Sequence, residues 1–252
     1  MNRWRVLAPV LFGLAVLALW ILITAANWVG DFALPAPATV MRRLISGIND
    51  GYLLTATAQT LREALLGCIF ATLIGVPLGF AISRWRIFAA TVEPYLAASQ
   101  AIPAVAIAPL LVIWVGYGTT PIVALCTVMV IFPIVINTAI GIRSIDHEVI
   151  GAARLDGASG VSLIFYLIFP LAAPYILAGL RNGFTLSVTG AVVGEMVIGG
   201  SHGLGIQLVT AQQLSDVPGM FATITILALT AVAIYAVLRG LESRVFAAVA
   251  ER

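Results

Sequence analysis

Lysine is absent from this chain, and charge of either sign is scarce: thirteen arginines and eleven acidic residues make up 10% of its 252 positions. A soluble domain carries about 25% charged residues. With a mean hydropathy of +1.08, the chain cannot cover itself with water-compatible groups, which excludes a soluble globular protein and points to lipid as its solvent. Cysteine is nearly absent too. Cys68 and Cys126 both sit inside apolar runs with no CxxC spacing, which excludes a disulfide framework. The histidines, His147 and His202, lie far apart, and no cluster with metal-ligand spacing exists. The phosphate-cradling pattern GxxxxGK[ST] does not occur. Gly203-x-Gly205 lacks the rest of a dinucleotide pattern. No Ser/His/Asp set offers a catalytic cluster, so an enzyme is not expected.

What the chain does have is apolar runs of membrane length. A spanning helix needs about 20 mostly apolar residues. Arg5 and Asp31 bracket 25 uncharged residues, Glu63 and Arg84 bracket 20, and Asp216 and Arg239 bracket 22. Glu93 and Arg143 bracket 49, two spans separated by the turn formers Gly116-Tyr117-Gly118-Thr119-Thr120-Pro121. A further span, broken only by Arg181, lies between Gly157 and Gly194. The expectation is one all-α, polytopic transmembrane domain over 1–252, with about six helices near 6–27, 62–83, 94–115, 121–141, 167–194 and 218–239. The first run follows Met1-Asn2-Arg3-Trp4-Arg5 and shows no cleavage site, so it is read as an uncleaved span.

Arginine placement predicts orientation. With both ends inside, nine arginines (3, 5, 84, 86, 143, 154, 239, 244 and 252) are cytoplasmic, and only Arg42 and Arg43 fall clearly outside. Outside, an amphipathic stretch from Thr39 to Ile48 is expected to lie along the membrane surface. The long segment from Gly199 to Gly219 has glycines that would let it dip back into the protein, as irregular backbone at membrane depth does only under protein or water cover. Gly75, Pro77, Gly79, Pro103, Pro109, Pro133 and Pro174 fall within spans, where small residues permit close packing and proline kinks helices.

The most informative stretch is the cytoplasmic loop over 143–166. Asp146 is an N-cap, Glu148 sits in the first turn, and Gly157 is placed to end the helix as its C′ residue. Ser159 can cap a second helix running toward Pro170. Gly151, Ala152 and Ala153 would allow close approach to a partner's groove, with Arg154, Leu155, Asp156 and Ala158 completing the element. From the residues alone the segment reads either as a docking helix on a glycine elbow or as a plain connector.

The segment resembles the signature loop of binding-protein-dependent ABC importer permeases, in which Glu-Ala-Ala is followed by three residues, Gly, and a hydrophobic stretch ending in Ile-x-Leu-Pro. Here Ala152-Ala153, three residues, Gly157, and Leu167-Ile168-Phe169-Pro170 stand in that register, with Gly151 in place of the Glu and Phe169 in place of Leu. Leu34-Pro35-Ala36-Pro37, Gly75-Val76-Pro77-Leu78-Gly79, Trp114-Val115-Gly116-Tyr117-Gly118, Val193-Gly194-Glu195-Met196 and Gly203-Leu204-Gly205 resemble the nitrate/sulfonate/taurine branch of that family. The resemblance implies the type I importer permease (MetI-like) fold in a bacterial inner membrane. It implies a loop over Asp146 to Ser159 that docks on a separate ATPase. Partners would be two ATPase subunits, a second permease copy, an extracytoplasmic binding protein and the lipid bilayer, with no nucleic acid. ATP and Mg would be bound by the ATPase, and no cofactor by this chain. The branch implies a nitrate-, sulfonate- or taurine-like anion as substrate, or alternatively a thiamine-precursor pyrimidine or other small aromatic compound.

Four polar residues within spans are candidates for lining the pathway. Glu195 either serves it, meets outer-leaflet water, or pairs with a group such as Arg62. Arg181 attracts an anion there, snorkels, or bonds a neighbouring helix. Gln100 and Asn137 line it or hold helices together. An ion-coupled secondary transporter would need no ATPase; the lack of paired carboxylates and of an internal repeat speaks against that class.

Overall fold

The computed structural model describes residues 4–30, 32–200 and 202–250, with side chains described except at 4–6, 9–10 and 241–250. Arg3, Asp31 and Arg252, and with them the expected placement of the chain's two ends, lie outside the described residues. Every regular element among those described is helical.

Helix α1 (Trp4–Ala25) is apolar on all sides, and Leu11, Phe12, Leu14 and Leu22 are exposed, as suits lipid contact. Its anchors are Trp20, whose indole N–H donates to the Pro35 carbonyl at 3.1 Å and whose ring lies 5.9 Å from Phe221. Helix α2 (Pro37–Asn49) opens on Pro37, whose missing N–H costs nothing in the first turn. It buries Val40, Leu44 and Gly47, one stripe at i, i+4 and i+7. Arg42 on the other side is exposed.

The centre of the molecule is α3 (Tyr52–Arg84), α6 (Thr119–Arg143) and α9 (Phe169–Ile198). Helix α6 buries Ile122, Leu125, Cys126, Val130, Ile134 and Val135 between its neighbours. Those neighbours meet it with glycine. A Cβ at Gly75 would fall 2.9 Å from Ile134 and one at Gly79 2.6 Å from the Val135 carbonyl oxygen. On the other flank, Gly179 and Gly183 would place a Cβ 2.9 Å from Asn137 and 2.7 Å from Val130. The interior glycines of α3 and α9 thus allow the backbone approach that drives helix association without a hydrophobic effect.

Between them, α4 (Arg86–Ala101) and α5 (Ala104–Val115) meet at 102°. The sequence predicts one continuous span over 94–115. Pro103 accounts for the difference: it pushes Ile102 out of the helical region, to φ −82° and ψ 120°. Glycines at positive φ, Gly116 at +89° and Gly118 at +108°, then break the chain before α6. Helix α7 (His147–Leu155) and the short α8 (Gly160–Leu163) lead through a π-helical turn (Ile164–Ile168) into α9. Helix α10 (Leu204–Gln213) folds back against α9 and α11 (Val217–Ala250), as the glycines between 199 and 219 suggested. Arg43 donates twice to one carboxylate oxygen of Asp216, at 2.9 and 2.8 Å, and so fastens α2 to the start of α11.

Four of these helices are long and apolar enough to cross a membrane, five if the bent α4–α5 pair is one crossing. Leu11–Ala25 is a shorter apolar run among the described residues.

Candidate functional site

Two places in the fold gather the residues that the sequence singles out. The first is α7 and its turns. Asp146 caps α7 through its side chain, which accepts from the Glu148 backbone N–H at 2.9 Å. At the other end Gly157 takes φ +91°. Its N–H donates to the Arg154 carbonyl at 3.1 Å, and the Ala158 N–H donates to the Ala153 carbonyl at 2.9 Å. This pair of bonds is the Schellman closure, with Gly157 as its left-handed residue. The Ser159 N–H then donates to the Ser162 hydroxyl at 3.2 Å and fixes the start of α8. A nine-residue helix is marginal by itself in water; here both ends are closed, and the turn to α8 is only a few residues long.

No residue of α7 is buried, and its two sides differ. His147, Ile150, Gly151 and Arg154 form an i, i+3, i+4, i+7 stripe facing a cavity of about 1280 Å³ at the ends of α3 and α6. Glu148, Val149, Ala152 and Leu155 face away, and Leu155 is 91% exposed. The segment the sequence marks as one docking element is therefore two faces of a helix, only one of them turned outward.

The second place is the far end of the bundle. Glu195 is 1% exposed, and Thr60 donates to its Oε1 at 2.6 Å while the Gly205 N–H donates to its Oε2 at 2.6 Å. The Leu204 N–H donates to the Thr60 hydroxyl at 2.9 Å. Leu204 and Gly205 open α10, and their N–H groups have no partner within that helix. The preceding residue, Gly203, has no side chain with which to cap. Glu195, from α9, is thus the cap of α10 in a helix-end position that favours negative charge. Gly203 and Gly205 are small because the carboxylate occupies the space a Cβ would need. Pairing with Arg62 does not occur: Arg62 is exposed, and the partners of Glu195 are Thr60 and Gly205. Glu63, 2% exposed, lies beside Glu195 and accepts from Gln59 at 2.7 Å, and Gln59 also reaches Thr119 at 3.2 Å. The spans therefore do hold a pair of buried carboxylates, contrary to the sequence expectation that they have none, because α3 and α9 bring together residues far apart in the chain. In the sequence nothing local singles out Thr60 or Gln59, and Glu63 reads only as the boundary of a span. The signal was an uncapped Gly203-Leu204-Gly205 helix start, which requires a cap from elsewhere.

The other polar candidates are placed as follows. Pro133 cannot donate to the Met129 carbonyl in α6, and Gln100 of α4 approaches that oxygen at 3.5 Å. Asn137 donates to the Pro133 carbonyl at 2.7 Å and packs at Gly179. Arg181 lies over the ring of Tyr235 at 5.5 Å, joining α9 to α11. Among the described residues no group of three metal-ligating side chains gathers.

Comparison with known proteins adds to this geometry. The family model of the binding-protein-dependent transport system inner membrane component matches residues 64–247. The chain is 40% identical over 213 residues to the riboflavin transport system permease protein of Chloroflexus aurantiacus, covering 84% of this chain and 79% of that one. It is 32% identical to the formylaminopyrimidine transport permease protein of Halalkalibacterium halodurans, covering 96% of each. It is 28% identical to the taurine transport system permease protein of Escherichia coli, covering 96% and 91%. An inward-facing methionine ABC transporter structure shares the fold at TM-score 0.68 and 20% identity, over 77% of this chain and 96% of that one.

Replacing Glu195 with alanine orphans the buried Gly205 N–H, at a cost of about 1–3 kcal/mol, while the Thr60 hydroxyl keeps the Ala56 carbonyl at 3.1 Å. Glu195→Ala is expected to lower the thermal unfolding temperature in detergent by several degrees and to expose the 199–203 segment to limited proteolysis. Glu148→Ala, on the open face of α7, leaves both unchanged. An unaltered protease pattern in Glu195→Ala would remove the carboxylate from its capping role.

Proposed function

The chain belongs to the inner membrane components of binding-protein-dependent transport systems, and from that premise we propose that its α7 elbow carries the motion of separate ATPase subunits to the spans. The permeases of this family work with an ATPase and a binding protein in ABC importers. The observation that carries the reading is the construction of α7: a short helix closed at both ends, offering an exposed Leu155 outward and joined to α9 through α8 and the π turn. A force on its outer face is delivered to α9, and α9 packs directly on α6 and α3. The full complex holds two copies of this chain and two ATPase subunits, with both termini in the cytoplasm. The nine-to-two arginine bias supports that orientation, and the exposure of α5 leaves a face for the second copy. ATP and Mg are bound by the ATPase. Gln100, exposed beside the α4–α5 bend, remains the polar candidate best placed to meet a solute. Asn137, Arg181 and Glu195 hold helices together.

The substrate is a small heteroaromatic solute handed over by an external binding protein. Identity to the riboflavin and formylaminopyrimidine permeases, 40% and 32%, exceeds that to the taurine permease, 28%. The sulfonate or taurine class is the second reading, and the taurine relative supports it. Thermal-shift screening of the binding protein encoded beside this chain decides between them. Stabilisation by a flavin or aminopyrimidine is expected; stabilisation by taurine alone reverses the order.

At Gly157, φ +91° costs a β-branched side chain about 1–3 kcal/mol, although nothing lies within 4 Å of a Cβ there. The strain is thus in the backbone, and it falls on the α7 closure. Gly157→Val is expected to leave the protein inserted in the membrane, abolish transport, and weaken co-purification of the ATPase. Asn49→Ser, at the end of α2, changes none of these. Normal transport by Gly157→Val would place the coupling element elsewhere.

A further inference from the structure

The cavity behind α7 is a site of its own. It lies between the inner side of α7 and the ends of α3, α4 and α6, and Arg84, Arg86, Arg143, Arg154 and His147 line it. Among the described residues no acidic side chain lines it. Arg143 is paired with Glu93 at 3.1 Å. Arg84, Arg86 and Arg154 make no salt bridge among the described residues. Three guanidinium groups around a common space, without a counter-ion among those residues, draw an anion into it. The position where the signature pattern carries Glu is Gly151 here, and it too lines the cavity. A Cβ at Gly151 would meet nothing within 4 Å. An acid at 151 would thus stand among the arginines, and this chain leaves its place open.

The surroundings say what kind of anion. The arginines stand where α3 and α6 end and α4 begins. Trp85 and Ile87, alternating with Arg84 and Arg86, are 60% and 85% exposed. On the segment that follows α7, Leu163, Ile164 and Ile168 line the cavity itself with apolar side chains, and their neighbours Val161, Phe165 and Tyr166 are exposed. Aromatic and apolar groups beside arginine at the end of a span are the surroundings of a lipid headgroup, and a soluble anion would have no use for them. Arginine also meets phosphate oxygens with two N–H donors at once.

We propose that this cavity binds the phosphate headgroup of an anionic phospholipid, with Arg84, Arg86 and Arg154 as its donors and Trp85 and Ile87 against its acyl chains. The site is independent of whether α7 docks on an ATPase. The lipid fills the space between α7 and the span ends, and so backs the elbow against a load from outside.

The test is native mass spectrometry of the assembled importer, exchanged into an equimolar mixture of phosphatidylglycerol and phosphatidylcholine. The wild-type complex is expected to retain phosphatidylglycerol several-fold over phosphatidylcholine. Arg84→Gln with Arg86→Gln loses that preference, and so does Gly151→Glu, which supplies the acid internally. Arg42→Gln, on α2 at the other side of the molecule, keeps it. Equal retention of both lipids by the wild type overturns the proposal, as does an unchanged preference in both cavity variants. Displacement of the lipid by inorganic phosphate would make the ligand a soluble anion. Loss of the lipid only when the ATPase is present would show that the partner protein fills the space. Either result overturns the lipid assignment.

Discussion

The close approach of α3 and α9 to α6 is the constraint from which the rest of this molecule follows. In a bilayer the lipid tails are as apolar as leucine, so helices are held by packing and hydrogen bonds rather than by exclusion of water. Interior glycines of α3 and α9 bring their backbones onto α6, near enough that an added Cβ would collide with Ile134, Val130 or the Val135 carbonyl. The three helices form one closely packed centre. Connectivity ties a nine-residue helix at one end to that centre: α7 follows α6 after three residues and leads through α8 into α9.

Polar groups in the spans serve the same end. Asn137 packs against Gly179 of α9, and Arg181 joins α9 to α11 over a tyrosine ring. Glu195 makes a cap for α10 that α10's own sequence lacks. A polar group in hydrocarbon is costly unless satisfied, and at these positions the partner is another helix or a helix end.

Much of this was legible in the sequence, for identifiable reasons. Charge scarcity and the spacing of arginines marked apolar helices because desolvation is a per-residue cost that composition reports. The α7 caps were legible because capping is local: Asp146, Gly157 and Ser159 act within a few residues of themselves. The α4–α5 bend was not, since Pro103 permits either a kinked span or a full break, and only packing decides. Nor was the Glu195–Thr60–Gly205 cluster. It joins residues 135 apart in the case of Thr60 and Glu195, and no local pattern announces such a meeting. The division of α7 into a cavity face and an outward face needed the positions of α3 and α6 as well.

The central claim is that the outward face of α7 is where force enters the permease. A photo-crosslinking residue placed at Leu155, in the complex assembled with its ATPase, addresses it most directly. The same residue placed at Tyr117, 83% exposed at the opposite end of α6, is the comparison. Capture of the ATPase from position 155 and not from 117 is the expected result. Capture from 117, or from neither while the complex remains intact, would contradict the account.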